Sequence, residues 1–195
     1  MSDPSALSLL STAAPRPEAI LLTEANVVDV AAGVCAPGAV LVRGETIAAV
    51  GDAEGLAAAA PDAVIVPMGG AYLSPGLMNM HTHFSLTLPG EMGDRLAALD
   101  DAGIALYMAD GARRALLAGI TTVRCVAERG HADFALRRAI QRGEVLGPDI
   151  YTAGQAVVCT GGHGHEHDDT MECDGPAGFA RGVRTQIKAG AVEMT

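Results

Sequence analysis

Two histidines two residues apart, His81 and His83, close the run Pro75-Gly76-Leu77-Met78-Asn79-Met80. Alternation along a strand sends residues two apart to the same face, so both imidazoles can reach one place beyond the strand's carboxyl end. Barrels and open α/β sheets build their sites at that end. Two neutral imidazoles at this spacing suit a first-row divalent metal such as zinc. Taken alone the pair reads first as solvent-exposed loop histidines, because His-x-His recurs by accident, and it is the surrounding sequence that turns the reading toward a metal. A second cluster, His163-Gly164-His165-Glu166-His167-Asp168-Asp169, lies between Cys159 and Cys173. The cluster stays open as a metal site in its own right, and a zinc staple with Cys159 and Cys173 stays open beside it, although their fourteen-residue separation matches no familiar pair spacing. The favoured reading of His165, His167, Asp168 and Asp169 is as solvated loop residues, and of His131, which opens a helix, as structural. Gly161-Gly162 lacks the Gly-Lys-Ser/Thr ending of a phosphate loop.

The elements that must position these groups change character along the chain. From Ile20 to Met68 the pattern is short, β-branched and punctuated by Gly and Pro: Ile20–Leu22, Val27–Val30, Ala39–Val42, Thr46–Val50 and Ala63–Val66. Such runs predict strands of a small antiparallel sheet. From Tyr72 onward strands alternate with helices. The run Tyr72–Met80 precedes a helical stretch carrying Leu99, Ala102, Leu106, Ala109, Ala112 and Leu116 at helical spacing. Gly119–Val126 is a second strand, followed by a helix with Ala132, Ala135, Leu136, Ala139 and Ile140 on one face and Arg137, Arg138, Gln141 and Arg142 on the other. Asp149–Val157 is a third strand. Asp174 and Pro176 then start a helix bearing Phe179, Val183 and Ile187, which stops at Gly190. Ala191–Thr195 reads as a fourth strand. Three βα units and a bare strand predict a parallel sheet with helical crossovers.

Composition removes several classes of function. With 49% hydrophobic and 18% charged residues the chain has the balance of a folded protein. A formal charge of −10 repels a phosphate backbone, so nucleic acid is not an expected partner. Lys188 is the single lysine and no basic run suits an anionic membrane surface. No apolar run approaches the roughly 20 residues of a membrane span, and the N-terminal stretch lacks the basic start of a secretory signal. Four irregularly spaced cysteines read as reduced thiols of a cytoplasmic protein.

The chain resembles the amidohydrolase superfamily of metal-dependent hydrolases, in particular its prolidase-like and imidazolonepropionase-like group. The resemblance rests on the small β unit followed by Leu73–His83, on Gly119–Arg124, on Thr160-Gly161-Gly162-His163-Gly164 and on Gln186–Ala191, in that order, over about residues 18 to 195. It implies an α/β fold: the N-terminal half of a (β/α)8 TIM-type barrel preceded by a small β-sandwich unit. Residues 1–17 are then a disordered tail, 18–70 the β-sandwich unit, and 71–195 the first half of a truncated barrel, since a whole one needs roughly 250 residues. It further implies that His81 and His83 ligate one or two divalent ions, zinc by preference. A metal-activated water would attack a carbon–nitrogen bond of a small amide, a cyclic amide or an Xaa-Pro dipeptide. His163 would face the substrate. A homo-oligomer is compatible with this picture.

Several residues depart from the family's pattern. Asn79 and Cys125 stand where aspartates are usual, which removes carboxylates that orient metal-bound imidazoles. Thr195 falls where a bridging carboxylated lysine is expected, and Lys188, seven residues earlier, reads as a solvated helix residue. Glu193 shares a strand face with Thr195 and offers a carboxylate lower in the barrel. Two alternatives follow: a heterocycle aminohydrolase, whose single-metal barrel needs no bridging lysine, and a non-catalytic remnant holding metal weakly through His81 and His83.

Overall fold

The computed structural model describes residues 17–86 and 89–192. The expected tail at 1–17 therefore lies outside the described residues except for Pro17. The fold is mixed α/β, in two compact units divided between Pro75 and Gly76.

In the first unit β1 (Ala19–Asp29) pairs antiparallel with β2 (Val34–Arg43), and β2 with β3 (Thr46–Gly51). The two short strands expected at 20–22 and 27–30 are one strand with a bulge: the register slips between Leu22 and Ala25, where Glu24 adopts φ 54°. The sheet is not wholly antiparallel. A helix, α1 (Ala53–Ala59), is started by the Asp52 carboxylate accepting from Gly55 N at 2.7 Å. Its crossover returns β4 (Val64–Pro67) parallel to β1, and β5 (Tyr72–Leu73) also joins β1 in parallel. Leu56 and Ala57 of α1 pack on Ala19, Leu21, Ala39 and Leu41, which form this unit's core.

The second unit is a parallel sheet in the order β6 (Leu77–Thr82), β7 (Ile120–Cys125), β8 (Asp149–Thr152). The expected Tyr72–Met80 strand is split, because Tyr72 and Leu73 belong to the first sheet and β6 begins after Gly76. Gly76 is demanded by close approach: a Cβ there would sit 1.9 Å from Thr121 Oγ1. Between β6 and β7 run α2 (Glu91–Ala97) and α3 (Asp101–Leu117), separated where Asp100 caps α3 by accepting from Gly103 N at 2.8 Å. Of the expected stripe Ala112 is buried and Leu99 and Ala109 pack on the core, but Leu106 is 75% exposed; the fully buried residues of α3 are Ile104, Met108 and Ala112. These residues meet Phe84, Leu96, Val123, Cys125, Leu136 and Ile150 in the core.

After β7 a 3-10 turn (Arg129–His131) leads into α4 (Ala132–Gln141), whose buried face is Asp133, Phe134 and Leu136, with Ala135 outside. The third expected strand also divides. β8 stays in the parallel sheet, while β9 (Ala156–Val158) pairs with β10 (Thr170–Glu172) in a separate parallel ribbon. Gly154 turns the chain between them at φ 73°, in a space bounded by Gln186 and Phe134. Helix α5 (Gly175–Ala189) buries Gly182 and Gln186 and leaves Ile187 exposed, so Phe179, Val183 and Ile187 are not its packed stripe. Lys188 is exposed. Beyond it, Val192 N donates to Thr152 O at 3.0 Å, bringing the chain alongside β8. Glu193, Met194 and Thr195 lie outside the described residues. Among the described residues no helix is long and apolar enough to cross a membrane.

Candidate metal centre

The carboxyl ends of β6 and β7 and the segment after β8 surround an open cavity of about 1280 Å³. His81 and His83 both line it, their rings 5.1 Å apart between centroids and inclined at 76°. His81 is exposed, and its N–H donates to Asn79 Oδ1 at 3.1 Å, so Asn79 shapes the strand end rather than touching an imidazole. His83 is half-buried, with Nδ1 2.6 Å from Val126 O. A carbonyl can only accept, so Nδ1 carries the proton and Nε2 is left with its lone pair for a ligand.

Below the histidines lies a carboxylate that the sequence reading passed over. Glu128 is fully buried and accepts from Phe84 N at 2.7 Å, from Ser85 N at 2.8 Å and from Ser85 Oγ. Ser85 Oγ in turn accepts from Arg129 N at 2.8 Å. The loop leaving β6 directly after His83 is thus tied to the end of β7. Burial pushes the Glu128 carboxyl up to about 7, against the lowering effect of the Ser85 and Phe84 hydrogen bonds. Asp133, buried on α4, is also raised by burial, and Thr152 Oγ1 donates to it.

The His-rich loop closes the cavity on another side. His163 is exposed at its rim. His165, His167 and Asp168 are exposed, whereas Asp169 is buried at 7% exposure and lines the cavity, a correction to its reading as a solvated residue. The cause is the β9–β10 ribbon: Ala156 N donates to Asp169 O at 2.9 Å and draws the residue inward. Burial raises the Asp169 carboxyl, with His167 and then His83 acting in the opposite direction. His131 takes no part in the cavity lining. Its Nε2 lies 3.0 Å from Gln186 Oε1 and its ring 5.2 Å from that of Phe134, a packing role.

The donor set fits a divalent metal in part. His81 and His83 supply two imidazole nitrogens on one strand end, but among the described residues no group of three or more His, Cys, Asp and Glu could hold an ion. A catalytic zinc site needs three protein ligands. Two imidazoles therefore make a weak site on their own.

A profile of the amidohydrolase family matches residues 72–194. The chain belongs to the amidohydrolase family. A bacterial imidazolonepropionase-like composite domain also matches the chain, over residues 38–63. It is 42% identical over 64 residues to a 5-methylthioadenosine/S-adenosylhomocysteine deaminase of Syntrophobacter fumaroxidans, a match covering 33% of the chain and 15% of the relative. Among solved structures it is similar to a prolidase complexed with N-methylphosphonate-L-proline, with TM-score 0.76 and 26% identity over 91% of this chain and 46% of that one. A Xaa-Pro dipeptidase with methionine in its active site shares the fold, with TM-score 0.69 and 23% identity over 90% of this chain and 46% of that one. The chain thus spans about half the length of these solved structures, and its match covers a smaller share of the deaminase.

Proposed function

We propose that this amidohydrolase is the metal-binding N-terminal part of a hydrolase of carbon–nitrogen bonds, acting on small amides such as Xaa-Pro dipeptides. In this reading residues 18–70, a single sheet backed by α1, contribute to a β-sandwich unit and 71–195 form the first half of a (β/α)8 barrel. The observation that carries it is the placement of His81 and His83 together on the carboxyl end of β6, over a cavity that the His163 loop also lines. The likeness to a prolidase at 26% identity supports the substrate class.

His81 and His83 would hold the ion, through Nε2 in the case of His83, whose Nδ1–H is fixed by Val126 O. A divalent metal, when bound, supplies a Lewis acid that polarises a carbonyl and lowers the pKa of water toward ~7. The protein's own contribution is positional. Glu128 holds Phe84 and Ser85 and so fixes the backbone that follows His83. His163 and Asp169, on the facing loop, offer the substrate a polar wall.

The deaminase relative favours a second reading, hydrolytic deamination of a purine nucleoside. Assays of the zinc-supplemented chain on Xaa-Pro dipeptides and on 5′-methylthioadenosine separate the two. Proline release without ammonia supports the first; ammonia release from the nucleoside supports the second. A chain that takes up zinc yet turns over neither substrate refutes both as activities of this polypeptide and leaves the non-catalytic reading.

A further inference from the structure

The loop that carries His163 stands on two thiols that the metal centre does not use. β9 and β10 run parallel in the register Ala156↔Thr170, Val157↔Met171, Val158↔Glu172, so the next rung sets Cys159 against Cys173. The two strands end at Val158 and Glu172, and hydrogen bonds between the two segments run on past them. Cys173 N donates to Val158 O at 2.7 Å. One step further, Thr160 N donates to Asp174 Oδ1 at 3.1 Å, and Thr160 Oγ1 donates to the other oxygen of the same carboxylate. Gly161 N reaches back to Glu172 Oε1 at 2.8 Å. Asp174 occupies the cap position of α5 but makes no side-chain bond to that helix, because its carboxylate is engaged by Thr160.

Paired strands lie about 4.8 Å apart. That spacing falls inside the roughly 4.4–6.8 Å between Cα atoms that a disulfide requires. Residues opposite one another on a rung also project to the same face. Cys173 is buried, with Sγ packed so close to α5 that a Cβ on Gly182 would stand 2.6 Å from it. Cys159 is exposed, and both are free thiols. One partner is therefore open to an oxidant in solvent and the other is held ready behind it.

We propose that Cys159 and Cys173 are a redox-active dithiol, a modification site for peroxide at the base of the His163 loop. The Cys159 thiolate attacks one oxygen of hydrogen peroxide and the O–O bond breaks. The sulfur becomes a sulfenic acid, and the departing hydroxide leaves as water with the proton the thiol gave up. Cys173 sulfur then displaces the hydroxyl group of that sulfenic acid, which departs as a second water with the Cys173 proton. Two thiols lose two electrons in all, and one peroxide is reduced to two waters. The disulfide joins the two ends of the segment 159–173, which carries both His163 and Asp169.

The test is oxidation of the full chain with hydrogen peroxide at neutral pH, followed by alkylation and peptide mapping by mass spectrometry without reduction. The expected product is a monomer lighter by two hydrogen atoms, with one peptide joining Cys159 to Cys173, reversed by dithiothreitol. A Cys173→Ser variant should instead accumulate sulfenic acid on Cys159, trapped by dimedone. The proposal is overturned if, in the unmodified sequence, Cys159 proceeds to sulfinic acid or pairs with Cys35 while Cys173 still alkylates. It is equally overturned if both thiols remain reduced. The unmodified chain alone decides the matter, whether or not the variant folds.

Discussion

Glu128→Gln separates the charge of the buried carboxylate from its shape. Burial raises this carboxyl from 4.5 to about 7, so between those values the folded chain holds a proton that the unfolded chain releases. Stability from this group is complete below pH 4.5 and is lost as pH rises through 7. A shift of about 2.5 pKa units at 1.36 kcal/mol each makes the loss about 3 kcal/mol. Glutamine keeps the shape and cannot ionise. Its amide group must face either Phe84 N or the Ser85 donors, so at least one of the three hydrogen bonds is lost, costing about 1–3 kcal/mol. In urea unfolding followed by circular dichroism the variant should therefore be the less stable at pH 5. The gap should close by about 3 kcal/mol, or reverse, by pH 8. Asp169, also raised by burial, adds slope of the same sign to both proteins and drops out of the difference, whereas Asp133, whose charge helps raise Glu128, loses that repulsion in the variant. Parallel pH profiles for the two proteins, or a gap that widens with pH, would refute the reasoning.

Other substitutions probe the packing that holds the site. Met108 is fully buried in the core of the second unit, and Met108→Ala should lower unfolding free energy by about 2–5 kcal/mol in the same assay. Gln186 lies within hydrogen-bonding distance of His131, accepts from Gln155 N and donates to Gln155 Oε1, all around the turn at Gly154. Gln186→Ala should cost about 1–3 kcal/mol and speed amide hydrogen exchange at Gln155. Gly154→Ala forces a side chain into a left-handed backbone and onto Gln186 and Phe134, so it should destabilise at least as much as Gln186→Ala; an unchanged urea midpoint would contradict that packing.

What could be read from the sequence was what depends on near neighbours. The parallel strands β6, β7 and β8 and their helices follow from local periodicity; His81 and His83 line one cavity, but the register slips between Asn79 and Thr82 and His83 lies just beyond β6, so alternation alone does not place them. Helix faces were misjudged where apolar residues surround the helix. On α3 the expected line through Leu106, Ala109 and Ala112 and the line through Ile104, Met108 and Ala112 both fit the period, and only packing against Val123 and Leu136 buries Ile104 and Met108 in place of Leu106. Parallel pairing of β4 with β1 depends on the short helix α1 behind it; Asp52 and the Ala-rich run 57–60 favour that helix locally, but the side of the sheet on which it crosses is set by its packing on Leu21 and Leu41. Glu128 was invisible for a similar reason. Ala127-Glu128-Arg129 looks like a solvated loop, and its burial is decided by Phe84 and Ser85, 44 and 43 residues away. Asp169 is drawn inward by a ribbon whose two strands are only three residues each.

The central claim, that His81 and His83 form the chain's metal site, is tested most directly by titrating the chain with Co²⁺ and recording its visible absorption. The account predicts d–d bands that saturate, are displaced by zinc, and weaken at least tenfold in apparent affinity in either His81→Ala or His83→Ala, with His165→Ala and His167→Ala unchanged. Bands that persist in a His81→Ala/His83→Ala double variant, or that vanish with His165→Ala and His167→Ala instead, would place the metal on the exposed loop and contradict the account.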